Sequence, residues 1–100
     1  MRRAKVDANQ KEIVKALRAA GATVAHTHTV GDGFVDIVVL YRRRVYLMEI
    51  KDGDKPLSAQ KLTPKEEKFH AVWGEVAHVV NSISLALFII GATPTEKDHA

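Results

Sequence analysis

The stretch that decides the fold runs Asp36-Ile-Val-Val-Leu-Tyr-Arg-Arg-Arg-Val-Tyr-Leu-Met-Glu-Ile-Lys51. It predicts two apolar β-strands around a basic turn, with a carboxylate at the far end of each strand. If Arg42 and Arg43 form the turn, the antiparallel register places three pairs opposite each other: Leu40 with Val45, Val38 with Leu47, and Asp36 with Glu49. A four-residue loop over residues 41–44 gives the same register.

Asp36 and Glu49 would therefore lie side by side at one end of the sheet. Directly opposed strand residues have Cβ atoms roughly 5 Å apart, and two like charges held that close are destabilising unless a cation lies between them. Strand residues two apart share a face, so Lys51 projects beside Glu49. A divalent metal together with the Lys51 ammonium would supply the missing charge. This is the chemistry of a metal-dependent phosphodiesterase.

Both strands are apolar on their two faces, which predicts a sheet covered on both sides and a carboxylate pair at its buried end. Carboxylates that converge with a backbone carbonyl offer the hard oxygen ligands preferred by Mg²⁺ or Mn²⁺. Such a metal can polarise a phosphate, orient an attacking water and stabilise the leaving oxygen. Lys51 beside that water could hold the nucleophile or neutralise charge that develops on the phosphate.

Length and composition bound the class of protein. One hundred residues, 46% hydrophobic and 27% charged, fit one globular domain, and the net charge of +3 is compatible with a polyanionic partner without proving one. The absence of cysteine excludes disulfides, thiolate zinc sites and cysteine nucleophiles, and it fits a reducing cytoplasm. Residues 1–5 are basic but no apolar segment follows, so no signal peptide is expected. The longest apolar stretch, Leu85 to Ile90, is far shorter than the ~20 residues of a membrane span.

The first half of the chain predicts one helix and three strands. Asp7 and Gln10 have the spacing of a capping box, and the helix should run to about Ala20, closed by Gly21. Its core stripe is expected to hold Ile13, Ala16, Leu17 and Ala20, with Glu12 at the edge. The strands are predicted over residues 23–28, 34–41 and 44–51.

The second half predicts a loop, two helices and one strand. The loop covers residues 52–60, and Thr63-Pro-Lys-Glu66 marks a helix that buries Phe69, Val72 and Trp73 and stops at Gly74. An apolar strand over residues 76–80 and a helix over 82–90 follow, and the tail over 92–100 is expected to fray. The order α-β-β-β-α-β-α describes an α/β domain with a mixed sheet flanked by helices. The last strand should be parallel to its neighbour because a helix precedes it.

In these features the chain resembles the PD-(D/E)XK nuclease superfamily, most of all its virus-type replication–repair nuclease (VRR-NUC) branch and more loosely the archaeal Holliday-junction resolvases. Asp36 and Glu49-Ile-Lys51 carry the resemblance, which spans residues 7–90. Three further groups of motifs match: Asn9-Gln-x-Glu12 on the first helix, Gly31-Asp-Gly-Phe34 before the aspartate, and Leu62-Thr-Pro64 with Phe69-His70 after it.

The resemblance implies a single nuclease domain with the restriction-endonuclease-like αβββαβ core. Asp36, Glu49 and the Ile50 carbonyl would bind Mg²⁺ or Mn²⁺, Glu12 would be a helix-borne acidic ligand, and Lys51 the catalytic lysine. The implied activity is an endodeoxyribonuclease selective for branched, nicked or flapped DNA in replication, repair or recombination. Its setting would be the cytoplasm of a bacterial or phage-infected cell, with other replication or repair proteins as partners. Resolvase-like action needs two cuts, which a homodimer would supply.

Two departures from the family pattern give some weight to an alternative function, although every expected ligand and the lysine are present. Val35 stands where the family has its proline, and the glutamine of the second helix is missing, with Glu66 and Glu67 nearest to its place. Glu66 could join the site, but its capping-box position favours a role as a cap. The alternative is a catalytically inactive module that keeps the nuclease fold and binds nucleic acid or protein. A nucleotide phosphohydrolase is less favoured because no phosphate-binding loop is recognisable.

Basic residues indicate where a phosphate backbone would lie. Lys55, Lys61 and Lys65 lie in or after the loop that leaves Lys51, where they could hold DNA beside the site, and His28 could touch DNA near the glycine turn. The three arginines of the hairpin turn lie ~17 Å from the carboxylates, a distance of five strand residues. These arginines could bind DNA, but a charged hairpin tip that prevents edge-to-edge strand pairing explains them at least as well.

Four other conspicuous residues are explained by structure alone. His26 is expected to form a partly buried pair with His28, since no third soft ligand is evident. Asp32 is interpreted as a turn residue. His70 and Trp73 are expected to pack in the interior.

Overall fold

The computed structural model describes residues 8–92, and within them the element order is the predicted one. Seven elements form the fold: α1 (Ala8–Ala19), β1 (Thr23–His26), β2 (Ile37–Tyr41), β3 (Arg44–Ile50), α2 (Pro64–Trp73), β4 (Ala77–Val80) and α3 (Ile83–Ile90). The predicted cap at Asp7 and the tail from residue 93 onward lie outside the described residues. In the described range, no helix is long and apolar enough to cross a bilayer.

The four strands form one mixed sheet in the order β1-β2-β3-β4. The β1–β2 and β2–β3 pairs are antiparallel, and β3–β4 is parallel, as expected for a strand reached through a helix. The predicted register of β2 and β3 is confirmed, since Leu40 pairs with Val45 and Val38 with Leu47.

The turn between β2 and β3 contains two residues, Arg42 and Arg43, because Tyr41 and Arg44 already pair. Both turn residues have positive φ angles, 50° and 69°. Left-handed geometry at both positions gives the twist that antiparallel strands require, although arginine rarely adopts it. The Arg42 guanidinium lies 5.1 Å from the centre of the Tyr41 ring, and this cation–π contact helps to hold the turn.

The two faces of the sheet are covered unequally. One face packs against α1 and α3 and holds the main core, in which Ile37, Val39 and Met48 are fully buried. On the other face α2 contributes Phe69 to a small cluster with Val35 and Leu47. The prediction that both faces of the sheet are covered is therefore confirmed near the carboxylates. It is wrong near the hairpin turn, where Leu40 and Val45 are exposed. The ten residues of α2 cover only the end of the sheet that carries the carboxylates.

α2 begins and ends where the sequence predicts, but it buries less. Thr63 and Glu66 form the capping box, and Gly74 is the C-cap. Phe69 is buried, whereas Val72 is 81% and Trp73 49% exposed, so the expectation of a buried Val72 and a core Trp73 was wrong. The helix meets the sheet along a narrow line, and Trp73 packs on the outer side of Phe69 instead of on the sheet.

Two other local predictions need correction. On α1 the buried stripe is Gln10, Ile13, Val14 and Leu17, while Ala16 and Ala20 are only half-buried. The stripe is turned by about one residue from the expected one because α1 packs against both β1 and α3. The loop after β3 is also less irregular than predicted, since residues Leu57–Gln60 form a 3-10 turn.

A glycine turn that precedes β2 in the chain lies against the N-terminus of α2. Gly31, Asp32 and Gly33 have φ angles of 87°, 57° and 79°. A Cβ atom on Gly33 would lie 2.6 Å from the Lys65 carbonyl carbon and 3.0 Å from Glu66 N, whereas one on Gly31 would meet nothing within 4 Å. Gly33 therefore allows the backbone of α2 to approach the turn closely.

We expect Gly33→Ala to lower the free energy of unfolding by about 2–4 kcal/mol, because a backbone clash adds to the strain of a positive φ. Gly31→Ala is the matched control, since it introduces the same strain in open space and should cost about 1–2 kcal/mol. Urea denaturation of the three proteins measures both values. Equal losses in the two variants would show that α2 does not press against this turn.

Candidate active site

Asp36 and Glu49 lie side by side at one end of the sheet, as the strand register predicts. The Asp36 amide donates to the Met48 carbonyl oxygen over 3.1 Å, which extends the β2–β3 pairing by one residue. The Asp36 side chain accepts a hydrogen bond from Ile50 N at 2.7 Å through Oδ2. The Asp36 carboxylate is thus fixed by backbone groups at the point where β3 ends.

Lys51 directly follows β3, and its backbone is held by two other elements. Its amide donates to the Val80 carbonyl oxygen over 2.9 Å, and its carbonyl oxygen accepts from Asn9 Nδ2 over 2.7 Å. Its ammonium group lies 3.8 Å from Glu49 Oε2 and 3.0 Å from Glu66 Oε1. Lys51 therefore links the sheet to α1 through its backbone and to α2 through its side chain.

Glu66 has two roles where the sequence favoured one. Its Oε1 accepts the Thr63 amide at 2.8 Å, which completes the capping box, and it also accepts from Lys51 Nζ. The preference for a cap alone was therefore incomplete. The N-terminus of α2 lies over the end of the sheet, so a residue that caps this helix also reaches the lysine.

Burial and like charge set the protonation of the carboxylates. Glu49 is only 3% exposed. This burial, followed by the nearby charge of Asp36, raises the pKa of Glu49 to about 10. Burial also acts to raise the pKa of Glu66, but the Thr63 amide, a hydrogen bond from Glu49 and the Lys51 charge lower it below the ordinary value. Burial and the Asp36 charge thus favour the protonated form of Glu49, whereas the Thr63 amide and Lys51 favour the ionised form of Glu66.

Within residues 8–92, one buried oxygen of the site has no hydrogen-bond partner, Oε1 of Glu49. An unpaired buried acceptor is costly, and such groups in folded proteins usually have a ligand, a water or an ion as partner. Asp36 keeps one oxygen free of the Ile50 amide. Two carboxylates beside a strand-end carbonyl at Ile50 match the way Mg²⁺ is bound, through one or two carboxylates with water and substrate oxygens completing the shell.

The arrangement is not a complete cation cage made of side chains. Among residues 8–92, no group of three or more His, Asp or Glu side chains could hold a metal ion by itself. The third acidic residue, Glu66, is occupied by Lys51 and the Thr63 amide. The residues present therefore fit a metal that shares its coordination with solvent and a phosphate, and they do not fit one enclosed by protein ligands.

These residues border an open cavity of about 200 Å³. Its lining comprises Gln10, Asp36, Glu49, Ile50, Lys51, Asp52, Lys55 and Ala59. Lys55 thus lies at the rim, where the sequence analysis expected a phosphate contact. Lys61, Lys65 and His28 are not part of this lining.

Glu12, the expected helix-borne ligand, borders a different cavity. It is exposed on α1 and lines a neighbouring space of about 210 Å³ with Asn9, Asp52 and Asn81. Asp52 contributes to both cavities, so the two spaces adjoin each other. The structure brings Asp36, Glu49 and Lys51 together, but it places Glu12 on the far side of Asp52.

Gln10 is the site residue that the sequence analysis missed. It is 2% exposed, lines the cavity of Asp36 and Glu49, and places Nε2 3.5 Å from His26 Nδ1. Gln10 was interpreted as part of a helix cap. A detectable signal was its position one turn before Ile13 on the buried stripe, where an uncharged polar side chain needs a partner.

The other predicted contacts lie away from the cavity. The Lys65 ammonium is 3.9 Å from Asp32, and both side chains are largely exposed. Lys61 is exposed just before α2. His28 is half-buried and its ring meets that of His26 edge-on at 6.1 Å, but His26 is exposed, so only one member of the expected pair is partly buried. Among the described residues, Nδ1 of His28 has no hydrogen-bond partner.

Comparison of the chain with protein-family models, with curated proteins and with solved structures finds no match in any of the three.

The pKa of Glu49 predicts a specific pH dependence of stability. Between about pH 4.5 and 10 the folded protein holds one more proton at Glu49 than the unfolded chain does. Because the unfolded state binds fewer protons, the free energy of unfolding should fall by up to about 1.4 kcal/mol per pH unit in this window. Glu49→Gln mimics the protonated form, so it should remove this slope and be more stable than the wild type at pH 8–9 in the absence of metal.

Chemical denaturation of metal-free protein at pH 5–9 measures the slope. Glu12→Gln is the matched control, since the same change at an exposed glutamate should leave the slope unchanged. The assignment of a neutral, buried Glu49 is contradicted if Glu49→Gln and the wild type lose stability in parallel.

Proposed function

We propose that the protein is a divalent-metal-dependent endonuclease that hydrolyses phosphodiester bonds in DNA. One observation carries the proposal: the Lys51 ammonium is held 3.0 Å from Glu66 and 3.8 Å from Glu49, in the cavity that also contains Asp36. Carboxylates that attract a cation, beside a fixed ammonium, match the charge of a phosphodiester under attack.

The burial of Glu49 argues for function over stability. An exposed ion pair at a strand end would contribute about 0–1 kcal/mol and would need no buried carboxylate. Here Glu49 is desolvated, lies beside a second carboxylate and has an oxygen that accepts no hydrogen bond from the part of the chain that the structure describes. Such an arrangement destabilises the metal-free protein, and perturbed groups of this kind concentrate at functional sites.

Each residue then has a defined role. Asp36, Glu49 and the Ile50 carbonyl would hold Mg²⁺ or Mn²⁺, which supplies Lewis-acid polarisation of the phosphate when bound. Lys51 would neutralise charge on the phosphate or hold the attacking water. Glu66 would orient Lys51, and the buried amide of Gln10 would border the reacting groups. Lys55 at the rim would contact the neighbouring phosphate.

The substrate proposal rests on the resemblance to the PD-(D/E)XK and VRR-NUC nucleases and on the shape of the site. The cavity is open, which suits a polymer better than a small nucleotide. The contacts expected near it are lysines, which bind phosphates without reading bases. We therefore propose structure-selective cleavage of branched, nicked or flapped DNA, with replication or repair proteins as partners.

A catalytically inactive binding module is the second candidate, and one observation favours it. Both carboxylate neighbours of Lys51 engage its ammonium, and within the described residues no three acidic or histidine side chains form a ready metal cage. In that case the cluster would be a structural link between β3 and α2. Cleavage assays separate the two functions.

The first test is cleavage of labelled duplex, nicked, flapped and four-way DNA with Mg²⁺ or Mn²⁺. Lys51→Ala should reduce the cleavage rate by about 100-fold or more, the loss typical for removal of an electrostatic catalytic group. Lys61→Ala is the matched control, because this exposed lysine lies outside the cavity and its loss should weaken DNA binding only slightly. Absence of cleavage on every substrate, with DNA binding intact, would favour the binding module.

Glu66 allows the cap and the site to be separated. Glu66→Gln keeps a side chain that can cap the helix but removes the charge that holds Lys51, so we expect a cleavage rate about 10-fold lower with stability nearly unchanged. Thr63→Ala removes the reciprocal cap and should cost about 1 kcal/mol of stability while retaining most of the activity. Rates and urea midpoints of both variants are the measurements. Equal effects on activity would mean that Glu66 acts only as a cap.

A further inference from the structure

The outer side of α2 carries an exposed groove that the catalytic cavity does not use. It has a volume of about 390 Å³ and is lined by Asp32, Lys65, Lys68, Phe69, Val72 and Trp73. This groove contains both an aromatic surface and positive charge. The two properties together restrict what it could bind.

The aromatic surface is rigid and half open. The Trp73 ring stacks on Phe69 at 5.1 Å with an interplanar angle of 5°, and Phe34 meets Trp73 edge-on at 6.4 Å. Phe69 is only 9% exposed and Trp73 is 49% exposed. One face of the indole is thus fixed against the interior, and its outer face is available to solvent. A platform that is already fixed loses little side-chain entropy when a ligand stacks on it.

The charge of the groove lies toward the N-terminal half of α2. Lys65 and Lys68 are exposed there, and Lys65 is 3.9 Å from Asp32. Lys68 forms no salt bridge with any residue in the described range. Positive charge beside the N-terminus of a helix favours anions, and an aromatic face next to such charge is the usual surface for unpaired nucleotides.

The groove lies on the helix whose first turn contacts Lys51 of the catalytic cavity. Glu66 and Trp73 are seven residues apart on α2, which is two helical turns or about 10 Å along its axis. Glu66 contacts Lys51, which lines the cavity. At ~3.4 Å per nucleotide, a stacked strand that leaves the cavity along α2 would arrive at Trp73 after about three nucleotides.

We propose that this groove binds an unpaired stretch of DNA next to the cleavage site, with a base stacked on Trp73 and phosphates held by Lys65 and Lys68. The inference rests on the proposed function, and it specifies the substrate feature that the enzyme would select. A protein partner, or a second copy of the chain, fits the groove less well. Stable protein interfaces bury about 800 Å² on each side, and Val72 with Trp73 offers much less apolar surface.

Trp73 is the only tryptophan of the chain, so its fluorescence reports the groove directly. Titration with an eight-nucleotide oligothymidine in EDTA, which prevents cleavage, should quench the emission in a saturable manner, and added salt should weaken binding. An oligomer of the same length with abasic sites should bind more weakly and leave the emission nearly unchanged. Fluorescence anisotropy of a labelled oligomer should show about 10-fold weaker binding to Trp73→Ala.

Two variants serve as controls. Trp73→Phe keeps an aromatic ring and should retain most of the affinity. Phe88→Ala removes another exposed aromatic, 70% exposed on α3 and remote from α2, and should bind like the wild type. Loss of affinity in Trp73→Ala but not in Phe88→Ala would show that binding depends on this groove and not on exposed aromatic surface in general.

Three outcomes would overturn the proposal: quenching that is equal with the abasic oligomer, unchanged affinity of Trp73→Ala, or an effect of Trp73→Ala on self-association in sedimentation without one on DNA binding. Failure of the endonuclease proposal is distinguishable from these. Base-dependent quenching without cleavage by the wild type would support DNA binding in the groove and contradict the endonuclease proposal. Lys51-dependent cleavage without quenching would support the endonuclease proposal and contradict DNA binding in the groove.

Discussion

Burial of Glu49 beside Asp36 is the constraint on which the rest of the structure depends. The strand register forces the two carboxylates together, and the cover of α2 removes water from one of them. The protein meets this cost in three ways: a proton on Glu49, a backbone amide on Asp36 and the ammonium of Lys51. A bound cation would replace the proton. Under the proposed function, the groups that make this site costly to bury would be the ones that bind the metal and face the phosphate.

The fold brings three separate segments to this point. β3 supplies Glu49 and leads into Lys51, Asp36 precedes β2, and α2 supplies Glu66 from its first turn. Close approach of α2 requires Gly33, which has no side chain to meet the Lys65 carbonyl. Stability and chemistry are coupled here, because the residue that caps α2 also holds the lysine. The same helix carries the aromatic groove, with Trp73 two turns further on, so under the proposed function one element would position both Lys51 and a flanking DNA strand.

The sequence was sufficient for the parts of the fold that depend on local pattern. The turn and alternation of β2 and β3 gave the pairing of Val38 with Leu47, and Thr63 with Glu66 gave the start of α2. The sequence was insufficient to predict which residues of a helix pack against the sheet. Periodicity marks Trp73 as apolar but cannot show that Phe69 is the only residue of α2 buried against the sheet. Likewise, Gln10 and Glu12 are both polar residues of α1, and only the rotation of the helix decides which one faces the cavity.

The central claim is that Asp36 and Glu49 form a metal-binding, DNA-cleaving centre, and metal binding tests it most directly. Isothermal titration of the protein with Mn²⁺ should show one site, with release of up to one proton because Glu49 is protonated beforehand. Glu49→Gln and Asp36→Asn should each weaken that site at least 10-fold, as loss of a ligand does, whereas Glu12→Gln should leave it nearly unchanged. Absence of Mn²⁺ binding, or binding that depends on Glu12 and not on Glu49, would contradict the account.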